Sequence, residues 1–262
     1  VFLVDVSGSM QSPDKLALVA KSLKMLTAHL QPHDKVAIVS YAGSSGVVLA
    51  STSGDKKSQI ISALQNLRSG GGTNGAAGIE IAYQIAKDNF IKDGINRVLL
   101  ATDGDFNVGI SDHSQLEALI EDKRKSGIFL NTLGFGSGNY NDHLMEQLAD
   151  KGNGVYAYID SIFEAKKVLV DEIGASMQTI AKDVKIQLEF NPDLVAEYRL
   201  LGYENRVLNE VDFNNDKVDA GEIGAGHTVT ALYEIALHSD SGKQLSERHF
   251  AKNKRANKAS SN

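Results

Sequence analysis

Three short stretches of the 262-residue chain concentrate oxygen-bearing side chains: Asp5-Val6-Ser7-Gly8-Ser9, Ser69-Gly70-Gly71-Gly72-Thr73-Asn74-Gly75 and Thr102-Asp103-Gly104-Asp105. Asp5, Ser7, Ser9, Thr73 and Asp103 together offer two carboxylates and three hydroxyls, with no imidazole or thiolate among them. Hard oxygen donors carrying little formal charge suit a small octahedral dication such as Mg²⁺, which keeps waters and takes few carboxylates. A purely structural reading makes Ser7 and Ser9 turn formers, Asp5 a satisfied loop carboxylate and the glycine run a tight connection. That reading explains each stretch alone but not why all three belong together.

What brings them together is the order of elements that carry them. Apolar β-type runs fall at 1–6, 36–41, 46–50, 96–102, 128–134 and 155–159, with helical patterns between most of them. Ser12 can cap a first helix, with Pro13 at its first position, Asp14 in its first turn, and Leu16, Val19, Leu23, Leu26 and Leu30 as its inward stripe. Asp55 is placed to cap a second helix reaching Leu67, and 75–91 reads as a third. Ser111 or Asp112 starts a fourth that ends at Gly127, and 141–151 and 161–180 supply two more. The link between 36–41 and 46–50 is too short for a crossover, which predicts a hairpin and one antiparallel edge strand. The near-continuous apolar character of 1–6 and 96–101 predicts central strands covered on both faces. The pattern is that of a doubly wound, mostly parallel α/β sheet. In such sheets ligands bind outside the carboxyl ends of the strands at a topological switch point, where the three oxygen-rich stretches converge.

Asp5-x-Ser7-x-Ser9, followed by Thr73 and by Asp103 in a Thr-Asp-Gly run, resembles the metal-ion-dependent adhesion site (MIDAS) of von Willebrand factor type A (VWA) domains, over residues 1 to about 180. The resemblance implies a Rossmann-like fold. It also implies that Ser7, Ser9 and Thr73 contact Mg²⁺ (or Mn²⁺ or Ca²⁺) directly while Asp5 and Asp103 act mainly through water. Neutral oxygens around the ion leave it electrophilic, so its open position can accept a carboxylate from a protein partner.

Composition removes several other classes. The chain has no Cys, which excludes thiol catalysis, iron–sulfur clusters, thiolate zinc and disulfide scaffolds. A net charge of −6 argues against a nucleic-acid-binding face. No apolar run approaches the length of a transmembrane helix. Gly134-Phe135-Gly136-Ser137-Gly138 follows a strand but lacks the third glycine of a dinucleotide loop. The glycine run before Thr73 has no Walker lysine, and neither a GxSxG elbow nor an HExxH pair occurs. His29, His33 and His143 sit on or near helix ends, where surface or capping roles are the default.

After about residue 181 the hydrophobic period changes. Val184, Ile186, Leu188 and Phe190 alternate with polar residues, Asn191-Pro192 interrupts, and further alternations follow at 195–203 and 229–237. The expected organisation is a VWA domain at 1–181, a small antiparallel β module at 182–250 that upstream strands could complete, and a basic tail or linker at 251–262. Asp212-Phe213-Asn214-Asn215-Asp216 begins like a calcium loop but has Lys217 where glycine is needed, so a solvated turn is the better account. Leu201-Gly202-Tyr203-Glu204-Asn205-Arg206 and Ala220–Thr228 resemble the C-terminal domain of unknown function of bacterial envelope VWA proteins. That resemblance implies an extracytoplasmic protein of the envelope or periplasm, of a kind that usually carries an export or lipoprotein (lipid-anchoring) signal upstream; residues 1–6 are already a strand, so targeting is not read from this sequence.

The leading functional expectation is a Mg²⁺-dependent protein-binding or adhesion module rather than an enzyme. The alternative is a metal-assisted hydrolase or phosphotransferase at the same ion, which needs a general base beside the bound water or a second metal. Asp105 is the one extra carboxylate expected nearby, and neither His nor Lys is expected in the crevice. The 161–180 helix, running straight into the β module, would be the element carrying the state of the site onward.

Overall fold

A computed structural model describes residues 1–105, 113–137, 141–172, 179–201, 208–215, 221–224 and 230–238. The backbone forms two compact units, residues 1–184 with 219–227 and residues 185–218 with 228–262. The first unit runs β1 (Phe2–Asp5), α1 (Leu16–His29), β2 (Lys35–Tyr41), β3 (Ser45–Ser53), α2 (Lys57–Gln65), α3 (Gly75–Asp88) and β4 (Arg97–Thr102). It continues with α4 (His113–Arg124), β5 (Phe129–Phe135), α5 (Asp142–Lys151), β6 (Tyr156–Ile159) and α6 (Ile162–Lys166).

Six strands form one sheet in the order β3-β2-β1-β4-β5-β6. All neighbours are parallel except β2 and β3, which pair antiparallel at the edge. This is the doubly wound, mostly parallel sheet that the apolar runs predict. β1 alternates between two cores. Phe2 and Val4 join the inward stripes of α1, α2 and α6, whereas Leu3 joins those of α3, α4 and α5. A strand with both faces covered has no room for polar residues until it ends, and β1 ends at Asp5. From there α1 leads to β2 on one side, while β4 lies on the other. The loops after β1 and β4 therefore part at the switch point and leave a crevice between them.

Several element ends differ from the sequence reading. α1 begins at Leu16 with Lys15 at its N-cap, because Gly8–Gln11 first makes a 3₁₀ turn that buries Met10 and the Ser12 hydroxyl bonds Asp14. α2 starts at Lys57 with no side-chain cap, so Asp55 does not serve there. The expected 161–180 helix stops early. α6 passes into a wider π turn over Lys167–Asp171, and Thr179–Val184 is instead a strand, β7. β7 pairs antiparallel with β9 (Gly221–Gly224), a segment that reads as a turn in sequence. Ladder pairing with a distant segment outweighs local helical preference here. The start of α4 at Ser111 or Asp112 lies outside the described residues.

In the second unit, β8 (Val195–Leu201) and β10 (Leu232–Leu237) pair antiparallel. The Phe190 ring lies 4.6 Å from Tyr198 and 5.3 Å from Tyr233, while residues 185–190 form no regular strand despite their alternation. Asp212 closes a short 3₁₀ turn, and its carbonyl accepts the Asn215 N–H. Asp216 and the 251–262 segment lie outside the described residues.

Candidate metal centre

Asp5 is fully buried, and both of its oxygens are engaged. Oδ1 accepts the Ser7 N–H at 2.8 Å and Oδ2 accepts the Thr102 hydroxyl at 2.7 Å. These two bonds fix the carboxylate between the ends of β1 and β4. The 3₁₀ turn after β1 then brings the Ser7 and Ser9 hydroxyl oxygens to 2.9 Å from each other. Thr102 also accepts the Gly104 N–H at 3.1 Å, and Asp103 Oδ1 accepts the Asp105 N–H at 3.2 Å, so the loop after β4 folds back on its own side chains. Gly104 has a φ of +79, and a Cβ there would stand 3.1 Å from the Asn141 nitrogen, so this turn requires glycine.

The glycine run is tied to the same place by its backbone. Gly70 donates to the Val6 carbonyl at 2.8 Å, and Gly8 donates to the Gly71 carbonyl at 3.0 Å. Asn74 donates to the Ala42 carbonyl at 2.8 Å and caps α3 by accepting the Ala77 N–H. Thr73 is buried between these anchors. Asp5, Ser7, Ser9 and Asp103 are joined by hydrogen bonds, directly or through Thr102 and Lys15. Thr73 reaches them through the backbone of its loop.

Lys15 is the main departure from the sequence reading, which expects no lysine in the crevice. Its ammonium donates to Asp103 Oδ2 at 2.9 Å and to the Ser9 carbonyl at 3.0 Å, and the residue is only 6% exposed. Nothing local in the sequence announces this, since its acceptor lies 88 residues away. Thr102 is likewise a positioning residue for Asp5, although it was visible only as part of the Thr-Asp-Gly run. Tyr41, opposite Asp5 in the β1–β2 register, completes the floor. Burial, with the Asp5 charge beside it, holds its phenol well above the usual range and therefore neutral.

The charge balance tests whether a cation fits. Burial pushes the Asp5 carboxyl up to about 6. The Ser7 and Thr102 bonds oppose that rise, and the Asp103 charge adds to it. Among the described residues these two buried carboxylates have one ammonium beside them, that of Lys15 on Asp103, and no cation acts on Asp5. A divalent cation beside the Ser7 and Ser9 oxygens would do so. Among the described residues no group of three or more His, Cys, Asp and Glu side chains is arranged to hold a metal. A cation here must therefore lean on hydroxyls, which is the donor set present. The expected dinucleotide-like run offers no competing site. Gly134 and Phe135 end β5, Gly136 packs on Lys15, and Gly138 lies outside the described residues.

A central parallel sheet with an antiparallel edge strand, and a hydroxyl-and-carboxylate rim at its switch point, define a von Willebrand factor type A domain. The chain belongs to that family, whose model matches residues 1–172. A second model, the C-terminal region of the uncharacterized protein YfbK, matches residues 175–262. The chain is 51% identical over 256 residues to the uncharacterized protein YfbK of Escherichia coli (strain K12), covering 98% of this chain and 44% of that protein. It spans less than half the length of the curated relatives it matches. Among solved structures, a von Willebrand factor type A protein from Catenulispora acidiphila matches with a TM-score of 0.60 at 19% identity, over 89% of this chain and 56% of that one. An aerotolerance-related membrane protein from Bacteroides fragilis gives 0.51 at 23% identity, over 66% and 96%. The manganese-loaded TRAP protein of Plasmodium vivax gives 0.52 at 20% identity, over 64% and 71%. VWA domains are in general protein-interaction modules, and many bind a divalent metal.

Proposed function

We propose that the chain is a metal-dependent protein-binding module. In this reading Ser7, Ser9 and Thr73, with Asp5 and Asp103, hold Mg²⁺ (or Mn²⁺ or Ca²⁺) at the sheet rim. Held there, such an ion would supply an electrophilic position for a carboxylate of a protein partner. The observation that carries this is the buried Asp5–Asp103 pair, matched among the described residues by the single Lys15 ammonium, set beside two hydroxyl oxygens 2.9 Å apart. The Asp5 bonds from Ser7 and Thr102 orient that carboxylate, and the loop bonds from Gly8 and Gly70 hold the glycine run against it. The manganese-loaded structural neighbour supports the same choice of cation.

Binding rather than turnover fits the groups present. The Lys15 ammonium donates to Asp103 and to the Ser9 carbonyl, so it is engaged in holding the rim together. We place the module in the bacterial envelope, in keeping with the membrane protein among its structural neighbours. Among the described residues no helix is long and apolar enough to cross a membrane.

Calorimetric titration with Mg²⁺ and Mn²⁺ tests the site. Saturable binding that weakens at least about tenfold in the Ser7→Ala/Ser9→Ala variant is expected, and a flat isotherm for the wild type overturns it. A pull-down from envelope extracts in Mg²⁺ against EDTA then tests the partner. Phosphate or ester turnover with Mg²⁺, abolished by Asp103→Ala, would replace binding by catalysis.

A further inference from the structure

Lys15 has no role in a five-residue metal site, yet its surroundings are built around it. The ammonium reaches Asp103 Oδ2 at 2.9 Å and the Ser9 carbonyl at 3.0 Å, which links the loop after β4 to the loop after β1. Its aliphatic stem lies across Gly136, just past the end of β5. A Cβ at Gly136 would come within 2.3 Å of the Lys15 Cε and 2.6 Å of its Cγ. Gly136 also has a φ of +85, so the position favours glycine on both counts, and no side chain stands between the stem and the backbone. The lysine side chain is only 8% exposed and Asp103 is fully buried. Removing so strongly hydrated a group from water is unfavourable unless its partner is well placed. A surface lysine that had merely fallen inward would not be held by a glycine seat, a carboxylate and a carbonyl at once.

We propose that Lys15 is a tethered competitor of the divalent cation: its ammonium satisfies Asp103 when no ion is bound and weakens ion binding when one arrives. This rests on the metal-site reading above and adds how the affinity of that site is set. Asp103 Oδ2 cannot give its full charge to an ion while it accepts the Lys15 proton. A positive charge fixed at the rim also repels a second cation brought to the neighbouring hydroxyls, and in so buried a place the repulsion is poorly screened. The site therefore has a metal-free state with ordered ligands and a lowered affinity for the ion. Lys15 is a positioning residue in this account, acting on the ion through Asp103.

The test compares Mn²⁺ affinity, by calorimetry and by electron paramagnetic resonance, in the wild type, Lys15→Met and Lys15→Arg. Methionine keeps the stem that covers Gly136 and removes the charge, while arginine keeps the charge. Lys15→Met is expected to bind Mn²⁺ at least about tenfold more tightly than the wild type, to melt lower in EDTA, and to gain more in melting temperature on adding Mn²⁺. Lys15→Arg, which keeps the positive charge, is expected to show a smaller gain in affinity than Lys15→Met. A folded Lys15→Met protein that binds Mn²⁺ as the wild type does, or more weakly, overturns the proposal and leaves the metal site standing. Should Lys15→Met not fold in EDTA, Gly136→Ala, which pushes the stem away from Asp103, is expected to raise Mn²⁺ affinity in the same direction, and unchanged affinity there overturns the proposal. If neither the wild type nor any variant binds Mn²⁺, the metal reading itself fails and this assignment falls with it.

Discussion

β1 and β10 are strands of similar apolar content with opposite fates. Phe2, Leu3 and Val4 of β1 are buried on both faces, whereas Leu232 and Ile235 of β10 are 61% and 47% exposed. The difference lies in the neighbours. β1 has a strand on each side and helices above and below, while β10 pairs with β8 in a two-stranded ribbon. A two-stranded ribbon has too little surface to enclose its own apolar side chains. The rim chemistry depends on the first arrangement. β1, packed on both faces, ends in a carboxylate that is buried and has a hydrogen bond to each oxygen.

The largest effect that would break the contrast is a matched pair of truncations. Leu100→Ala in β4, at a fully buried position, is expected to destabilise the first unit by ~2–5 kcal/mol in urea unfolding. Leu232→Ala should change stability by less than ~0.5 kcal/mol. Equal losses would show that β10 is as enclosed as β4.

The second effect sharpens the contrast at the rim itself. Asp5 titrates near 6 in the folded protein against an ordinary value of 3.8, so the native state holds its proton over a range where the unfolded chain releases it. Stability in EDTA is then expected to fall as pH rises from about 4 to about 6, and to level off above that, by up to ~3 kcal/mol. Asp5→Asn should flatten this dependence, and Mg²⁺ should reverse it by favouring the ionised carboxylate. Denaturant midpoints across that pH range, wild type against variant, provide the check.

A smaller loss is expected from Gly104→Ala, which places a Cβ against the Asn141 backbone at positive φ. Thermal melting should show a cost of ~1–3 kcal/mol. No loss would mean that the loop after β4 adapts freely and does not fix Asp103.

The sheet was largely legible in the sequence because its strands are continuous apolar runs and its hairpin link is short. Asp5, Ser7, Ser9, Thr73 and Asp103 were legible as candidates because strand ends and glycine-flanked hydroxyls mark themselves locally. Lys15 was not, because a lysine beside a helix start reads as solvated unless its acceptor, contributed by another strand, is known. The end of α6 was missed for a similar reason. β7 owes its strand conformation to Gly221–Gly224, whose sequence reads as a turn and whose pairing is invisible along the chain. The expected route from the site through one long terminal helix goes with it, since α6 and its π turn stop by Asp171.

The pairing of β7 with β9 also decides where this polypeptide can be divided. Residues 219–227 come home to the first unit after an excursion through the second, so the two are interleaved along the chain instead of strung end to end. A cut after Val184 would strip β7 of its ladder with β9 and leave a bare edge ready to pair with a stranger. Clean excision of the first unit means stopping before Thr179 or carrying the chain through to the end of β9.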